Sequence, residues 1–206
     1  MAIIMLVCAP VSDPRGPSPL SGIDPEGDGA SRSFTLRLAT MADAAAIAEL
    51  IDASLTALLA DLLTPAQIAH SRTFMALDRQ LIEDRTYFLV TDQSCRILGC
   101  GGWSFRATLY GGDRSAGRDD IRLDPQSDSA RIRAMYTRPG FARRGIGRMI
   151  LEESEKAAAR AGFGAAILHA TLGGEPLYRT CGYHEISRSL DGGFPIVIMG
   201  KDLTCL

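Results

Sequence analysis

Cysteine is scarce and poorly spaced for cross-linking. The five in this 206-residue chain, Cys8, Cys95, Cys100, Cys181 and Cys205, are odd in number and contain no Cys-x-x-Cys pair. That argues against a disulfide framework and a zinc site, so no metal is expected and a reducing cytoplasm is the implied compartment. Long hydrophobic runs are missing too. The apolar start Met1–Val7 is too short for a membrane span and lacks the basic residues of a signal peptide, so no membrane partner is expected. Charge of one sign is also absent: 22 basic residues face 24 acidic ones for a net charge of −2, which gives no general pull toward nucleic acid. No internal repeat appears. With 46% hydrophobic and 22% charged residues, the length suits one buried α/β core and offers no second domain.

Glycine and proline, by contrast, are concentrated. Residues 8–33 are rich in Pro, Gly, Ser and Asp, which reads as a flexible arm over 1–33 ahead of a single domain at 34–206; Met5 is an alternative start. The second concentration is Arg138-Pro-Gly-Phe-Ala-Arg-Arg-Gly-Ile-Gly-Arg148. Before it, Arg131–Thr137 alternates charged and apolar residues as a half-buried strand does. After it, Ile146, Met149, Ile150, Ala157 and Ala161 recur at helical spacing, and Gly162 suits a C-cap. N–H groups at a helix start lack intrahelical acceptors and carry the positive end of the dipole, while glycine lets phosphates approach, so the turn reads as a pyrophosphate cradle. Two other phosphate loops fail on inspection. Gly140-x4-Gly145 is followed by Ile146-Gly147 instead of Lys and Ser/Thr, and the third position of a dinucleotide fingerprint is Ile150.

The remaining elements follow from period and punctuation. Strands are expected at Phe34–Ala39, Thr86–Thr91, Arg96–Trp103, 130–137, Ala165–Ala170, Tyr183–Ser189 and Pro195–Lys201. Helices are expected after the cap Thr40, over Leu55–Leu63 following a break, from Thr64-Pro65 to about Glu83, over 145–161 and near 175–180. The last two strands form an antiparallel hairpin around Asp191-Gly192-Gly193, and the sheet is mixed, parallel only where helix 145–161 crosses over. The stretch 105–129 has no period, and its length suggests a wall or lid.

The turn resembles motif A of the GCN5-related N-acetyltransferases (GNAT), in which Q/R-x-x-G-x-G/A holds the pyrophosphate of acetyl-CoA. Phe34–Ala44 with the helix after it is similar to that family's opening strand, turn and helix, and Pro176-Leu177-Tyr178-Arg179-Thr180-Cys181-Gly182-Tyr183 to its LYxxxGF segment. There are departures. Ala142 stands at the Q/R position, Thr137 where valine is common, Arg133 where many members carry an acid, and Thr171 and Gly174 for the frequent Asn and Ala.

The resemblance implies an α/β GNAT fold with a mixed central sheet and helices on both faces. It implies an acetyltransferase enzyme using acetyl-CoA as co-substrate. The acceptor would be a small-molecule or peptide amine attacking the thioester directly; homodimerisation is left open. Arg143, Arg144, Gly145, Ile146, Gly147 and Arg148 would hold the pyrophosphate. Met135, Tyr136 and Thr137 would line the pantetheine arm, with a backbone N–H near them polarising the carbonyl. Tyr178 is the candidate general acid, since a phenol of pKa about 10 stays protonated at neutral pH; the alternative is a core aromatic. No base stands out: Glu175 suits a helix cap, Asp113, Asp119, Asp120 and Asp124 suit a solvated loop, and His169 suits strand structure. Trp103 suits either the acceptor pocket or the core. A non-catalytic acyl-CoA sensor is the rival reading.

Overall fold

The computed structural model describes residues 33–59, 76–109, 111–113, 118–191 and 194–204. The expected arm, apart from Ser33, and the helix start at Thr64-Pro65 lie outside these residues. Strand β1 (Thr35–Leu38) ends in a turn built on Asp43, whose carboxylate accepts from the Thr40 N–H at 2.8 Å and hydroxyl at 2.9 Å while Arg37 clasps its two oxygens. The Arg37 bonds, with those of Thr40, outweigh desolvation and hold the Asp43 carboxyl well below the usual carboxylate range.

Two helix boundaries differ from expectation. Helix α1 (Ala44–Leu59) runs through the expected break, because its polar residues there are satisfied without leaving the helix: Thr56 donates to the Asp52 carbonyl, and Ser54 turns inward to the Thr137 carbonyl at 2.7 Å. The helical spacing that reaches Glu83 does not continue as one helix. Asp78 caps a separate short helix, α2 (Arg79–Glu83), by accepting from the Gln80 N–H.

The rest matches closely. Strands β2 (Tyr87–Thr91) and β3 (Ile97–Ser104) form a hairpin over a turn in which Asp92 accepts from the N–H groups of Ser94 and Arg96. Then come β4 (Ala130–Thr137), α3 (Ile146–Arg160), β5 (Ala165–Thr171), α4 (Glu175–Thr180), β6 (His184–Asp191) and β7 (Phe194–Asp202). Gly162, at φ +95°, ends α3 in the left-handed conformation that a side chain disfavours.

The seven strands form one sheet in the order β1-β2-β3-β4-β5-β7-β6, parallel only between β4 and β5. Alternation along the strands feeds two cores. One face packs Ile132, Met135, Leu168 and Ala170 against Ile146, Ile150 and Leu151 of α3 and Tyr178 of α4. The other packs Leu89, Cys100 and Tyr136 against Ile47, Leu50 and Leu55 of α1 and Leu81 of α2. Trp103 belongs to the first core, edge-on to Phe105 and Phe163 at 5.9 Å from each, so its role is packing.

The aperiodic stretch after β3 is tied down by charge. Its described residues carry a single bridge, Arg106 to Arg122, and three ion pairs anchor them to α2 and its approach: Arg106 to Asp84, Asp113 to Arg79, and Arg118 to Asp78. Asp78 also faces Arg133 of β4, 2.8 Å away, and both are buried. Burial pulls the Arg133 guanidinium below its ordinary pKa, with Asp78 countering. Desolvating each ion costs several kcal/mol, so neither tolerates loss of the other.

Candidate functional site

The site begins where two strands part. Although β4 and β5 are neighbours, they pair only at Ala130 to Ala166 and Arg131 to Ile167. Beyond that point β4 stays paired with β3 as far as Thr137, and β5 stays paired with β7 as far as Thr171. Each strand therefore keeps its outer neighbour and loses its inner one, which opens a wedge whose two edges carry backbone groups without a ladder partner across it.

A bulge shapes the β4 edge. From Cys100 to Gly102 the β3 strand advances two residues while β4 advances three, from Tyr136 back to Arg133. Ala134, inside the bulge, sits at φ +51°, a left-handed conformation that costs a non-glycine residue about 1–2 kcal/mol. Its carbonyl accepts a hydrogen bond of 2.9 Å from the hydroxyl of Tyr87, which is itself buried. Glycines on β3 admit what the bulge turns inward: a Cβ at Gly101 would lie 2.2 Å from the Met135 sulfur.

The wedge leads to the turn between β4 and α3. Gly140, Arg143 and Gly145 all take positive φ, at +80°, +62° and +84°, an arrangement that gathers successive N–H groups into an anion-binding concavity. Met149 N–H is bonded to the Gly145 carbonyl, which leaves the N–H groups of Ile146, Gly147 and Arg148 ahead of the first α-helical bond. A Cβ built on Gly140 or Gly145 would meet nothing within 4 Å, so the backbone here borders open space. That space is a cleft of about 270 Å³ whose lining includes Thr137, Arg143, Gly145, Ile146, Gly147 and Arg148. Among the described residues no acid pairs with Arg143 or Arg148, and both are exposed. Arg144 instead lies over the Phe141 ring, 5.0 Å from its centroid, and is not in the cleft lining.

Other expected residues sit behind the surface. The side chains of Met135 and Tyr136 point into opposite cores, so these residues can meet a ligand only through their backbone. Tyr178 is fully buried, edge-on to Tyr183 at 5.7 Å, so its hydroxyl can meet a ligand only when its neighbours Leu177 and Thr180, which line the cleft, give way. Burial, with a smaller contribution from Cys181, raises its pKa well above that of a free phenol. The acids considered as bases are engaged elsewhere: Glu175 pairs with Arg179 and Arg188, Asp113 with Arg79, and Asp124 accepts from the Gln126 N–H. No cluster of His, Cys, Asp or Glu suited to a metal exists among the described residues.

The structure adds residues that the sequence did not mark. Ser54 and Ala57 of α1 form one wall of the cleft, and the Ser54 bond to the Thr137 carbonyl fixes α1 against the end of β4. A serine on an otherwise apolar helix face was the available signal. Arg138 and Phe141, within the turn the sequence already singled out, also line the cleft, Arg138 while donating to the Ile97 carbonyl at 2.8 Å.

Known proteins share this architecture. PaiA N-acetyltransferase of Thermoplasma acidophilum, solved with coenzyme A, superposes with a TM-score of 0.58 at 15% identity, covering 82% of this chain and 99% of that one. YncA of Salmonella typhimurium, solved with acetyl-CoA, gives 0.54 at 18% identity, covering 82% and 94%. The ribosomal-protein-S18-alanine N-acetyltransferase of Escherichia coli gives 0.52 at 14% identity, covering 83% and 94%. No curated protein matches the sequence. The sequence profile of the acetyltransferase (GNAT) domain matches residues 83–185, half of the chain, from α2 through the wedge and the arginine turn to the start of β6. With the expected mixed sheet and its helices on both faces now in view, the chain belongs to the GNAT acetyltransferase family.

Proposed function

We propose that this protein transfers the acetyl group of acetyl-CoA to a primary amine by direct attack, with the cofactor lying along the wedge and its pyrophosphate on the arginine turn. The observation that carries this reading is the continuity of the two: unpaired strand edges run straight into helix N–H groups flanked by Arg143 and Arg148, cations with no acidic partner among the described residues. The open space at Gly145 fits a phosphate against the backbone. Thr137 and the backbone of Met135 and Tyr136 hold the pantetheine arm, and an N–H of this stretch polarises the thioester carbonyl. The amine nitrogen bonds to the carbonyl carbon and the carbon–sulfur bond breaks; Tyr178 protonates the departing sulfur, while the proton lost by the nitrogen passes to water in the wedge and, through it, restores the Tyr178 phenol.

The candidate acids Glu175, Asp113 and Asp124 are engaged elsewhere and Arg133 is paired with Asp78, so in this reading the amine arrives already deprotonated. The same observation favours the rival reading, an acyl-CoA sensor without catalysis. Initial rates with acetyl-CoA and amine varied together distinguish the readings. Direct attack gives intersecting double-reciprocal lines, parallel lines reveal an acetyl-enzyme, and absence of turnover across chemically diverse amines supports the sensor.

The described residues of the stretch 105–129 wall the acceptor side in this reading, through their anchors on α2. Asp84→Ala removes the clasp on Arg106 and is expected to raise KM for the amine on the order of tenfold, the scale of one lost charged hydrogen-bonded pair, with acetyl-CoA affinity unchanged. Amine kinetics identical to wild type would make the segment a surface excursion.

A further inference from the structure

Acetyl transfer as proposed above needs an N–H aimed at the thioester oxygen, and the β4 bulge has to hold that aim in a backbone conformation that alanine disfavours. The feature that holds it is the Tyr87 hydroxyl. Tyr87 lies on β2, two strands from the wedge, opposite Gly102 of β3, which in turn faces Arg133 of β4. Its phenol therefore reaches β4 from the β3 side and takes the Ala134 carbonyl at 2.9 Å. No peptide among the described residues is cis, and in a trans peptide the C=O and the following N–H point in opposite directions. The Tyr87 ring lies in the core beneath α1, so the Ala134 carbonyl is held toward that face and the Met135 N–H points the opposite way, away from that core, on the stretch of β4 where β5 offers no pairing.

We propose that Tyr87 is a positioning residue for acetyl transfer: by holding the Ala134 carbonyl, its hydroxyl aims the Met135 N–H at the oxygen of the bound thioester. The claim rests on the acetyl-transfer reading, and it assigns a role to a side chain that touches neither the cofactor turn nor the cleft lining. Burial keeps the phenol protonated, and therefore a donor, throughout the working pH range. Without it, the Ala134 carbonyl has lost its partner and the left-handed alanine its restraint, so the peptide plane is free to rotate and the donor loses its direction.

Tyr87→Phe tests this with two readouts that a packing role alone would leave unmoved. The first is kcat against cofactor affinity: kcat should fall roughly ten- to hundredfold, less than the hundred- to thousandfold that follows outright removal of an oxyanion donor, while Kd for acetyl-CoA stays within about twofold. The second is the carbonyl stretch of bound acetyl-CoA carrying carbon-13 in the acetyl group. Wild-type protein should lower its frequency relative to free acetyl-CoA, and Tyr87→Phe should lower it less. If Tyr87→Phe folds poorly, Tyr87→Phe combined with Ala134→Gly restores the fold, because glycine accepts φ +51° without penalty, and the same two readouts apply. A variant with wild-type kcat and a wild-type carbonyl shift overturns the positioning role. Wild-type protein that neither shifts the carbonyl nor acetylates any amine overturns the acetyl-transfer reading instead.

Discussion

Gly147→Asp is expected to abolish acetyl-CoA binding in a protein that remains folded. Gly147 stands in the first turn of α3, where the unbonded N–H groups face the cleft. Its backbone has no positive φ, and an added Cβ would approach only the flexible end of Leu177, 3.0 Å away. An aspartate in the first turn of a helix is favoured by the dipole. The substitution should therefore cost little stability, and any loss of binding has to come from the site. There the carboxylate occupies the ground of the pyrophosphate and cancels the field of Arg143 and Arg148. A rise in Kd of at least about a thousandfold, about 4 kcal/mol, would appear in calorimetry as no detectable heat. Undiminished affinity in a folded variant would move the cofactor away from this turn.

Tyr178→Phe is expected to lower kcat by roughly ten- to ten-thousandfold, the range from a donor partly replaced by water to the upper end of general acid catalysis, with acetyl-CoA affinity little changed. The hydroxyl meets charge on sulfur only as the thiolate departs, so its loss falls on the transition state and not on the bound ground state. Burial sharpens the pH dependence. Because the pKa is raised well above that of a free phenol, the acid form persists at every ordinary assay pH, and the rate should show no alkaline decline from this group. It should instead climb with pH as the amine loses its proton, and do so equally in wild type and variant. A Tyr178→Phe enzyme with wild-type kcat would return the residue to the core cluster it shares with Tyr183.

What the sequence made legible was local. The limits of β4 and α4 and the turn between β4 and α3 follow from alternation, helical spacing and glycine over a few residues, and the structure reproduces them. What it concealed depends on residues brought together from afar. Arg133 read as a missing acid because its counter-charge, Asp78, lies on another element and doubles as the cap of α2. The break expected before Leu55 is absent because Ser54 finds a partner, the Thr137 carbonyl, far along the chain. Tyr87 gave no signal at all, since an aromatic at a strand start is ordinary until a left-handed alanine two strands away needs a donor. Met135 and Tyr136 were legible as strand residues beside the arginine turn, but the bulge that brings Ile132 and Met135, three residues apart, into the same core was not, because a one-residue shift in register leaves no mark in composition.

The central claim is that the wedge and the arginine turn together hold acetyl-CoA for transfer to an amine, and its most direct test is free thiol released from acetyl-CoA across a panel of small amines, amino acids and peptides, with the acetylated product weighed by mass spectrometry. Wild-type protein should release thiol only when a suitable amine is present and form one N-acetyl product per thiol, and Gly147→Asp should do neither. Thiol release without an acetylated amine, or equal product from wild type and Gly147→Asp, would contradict it.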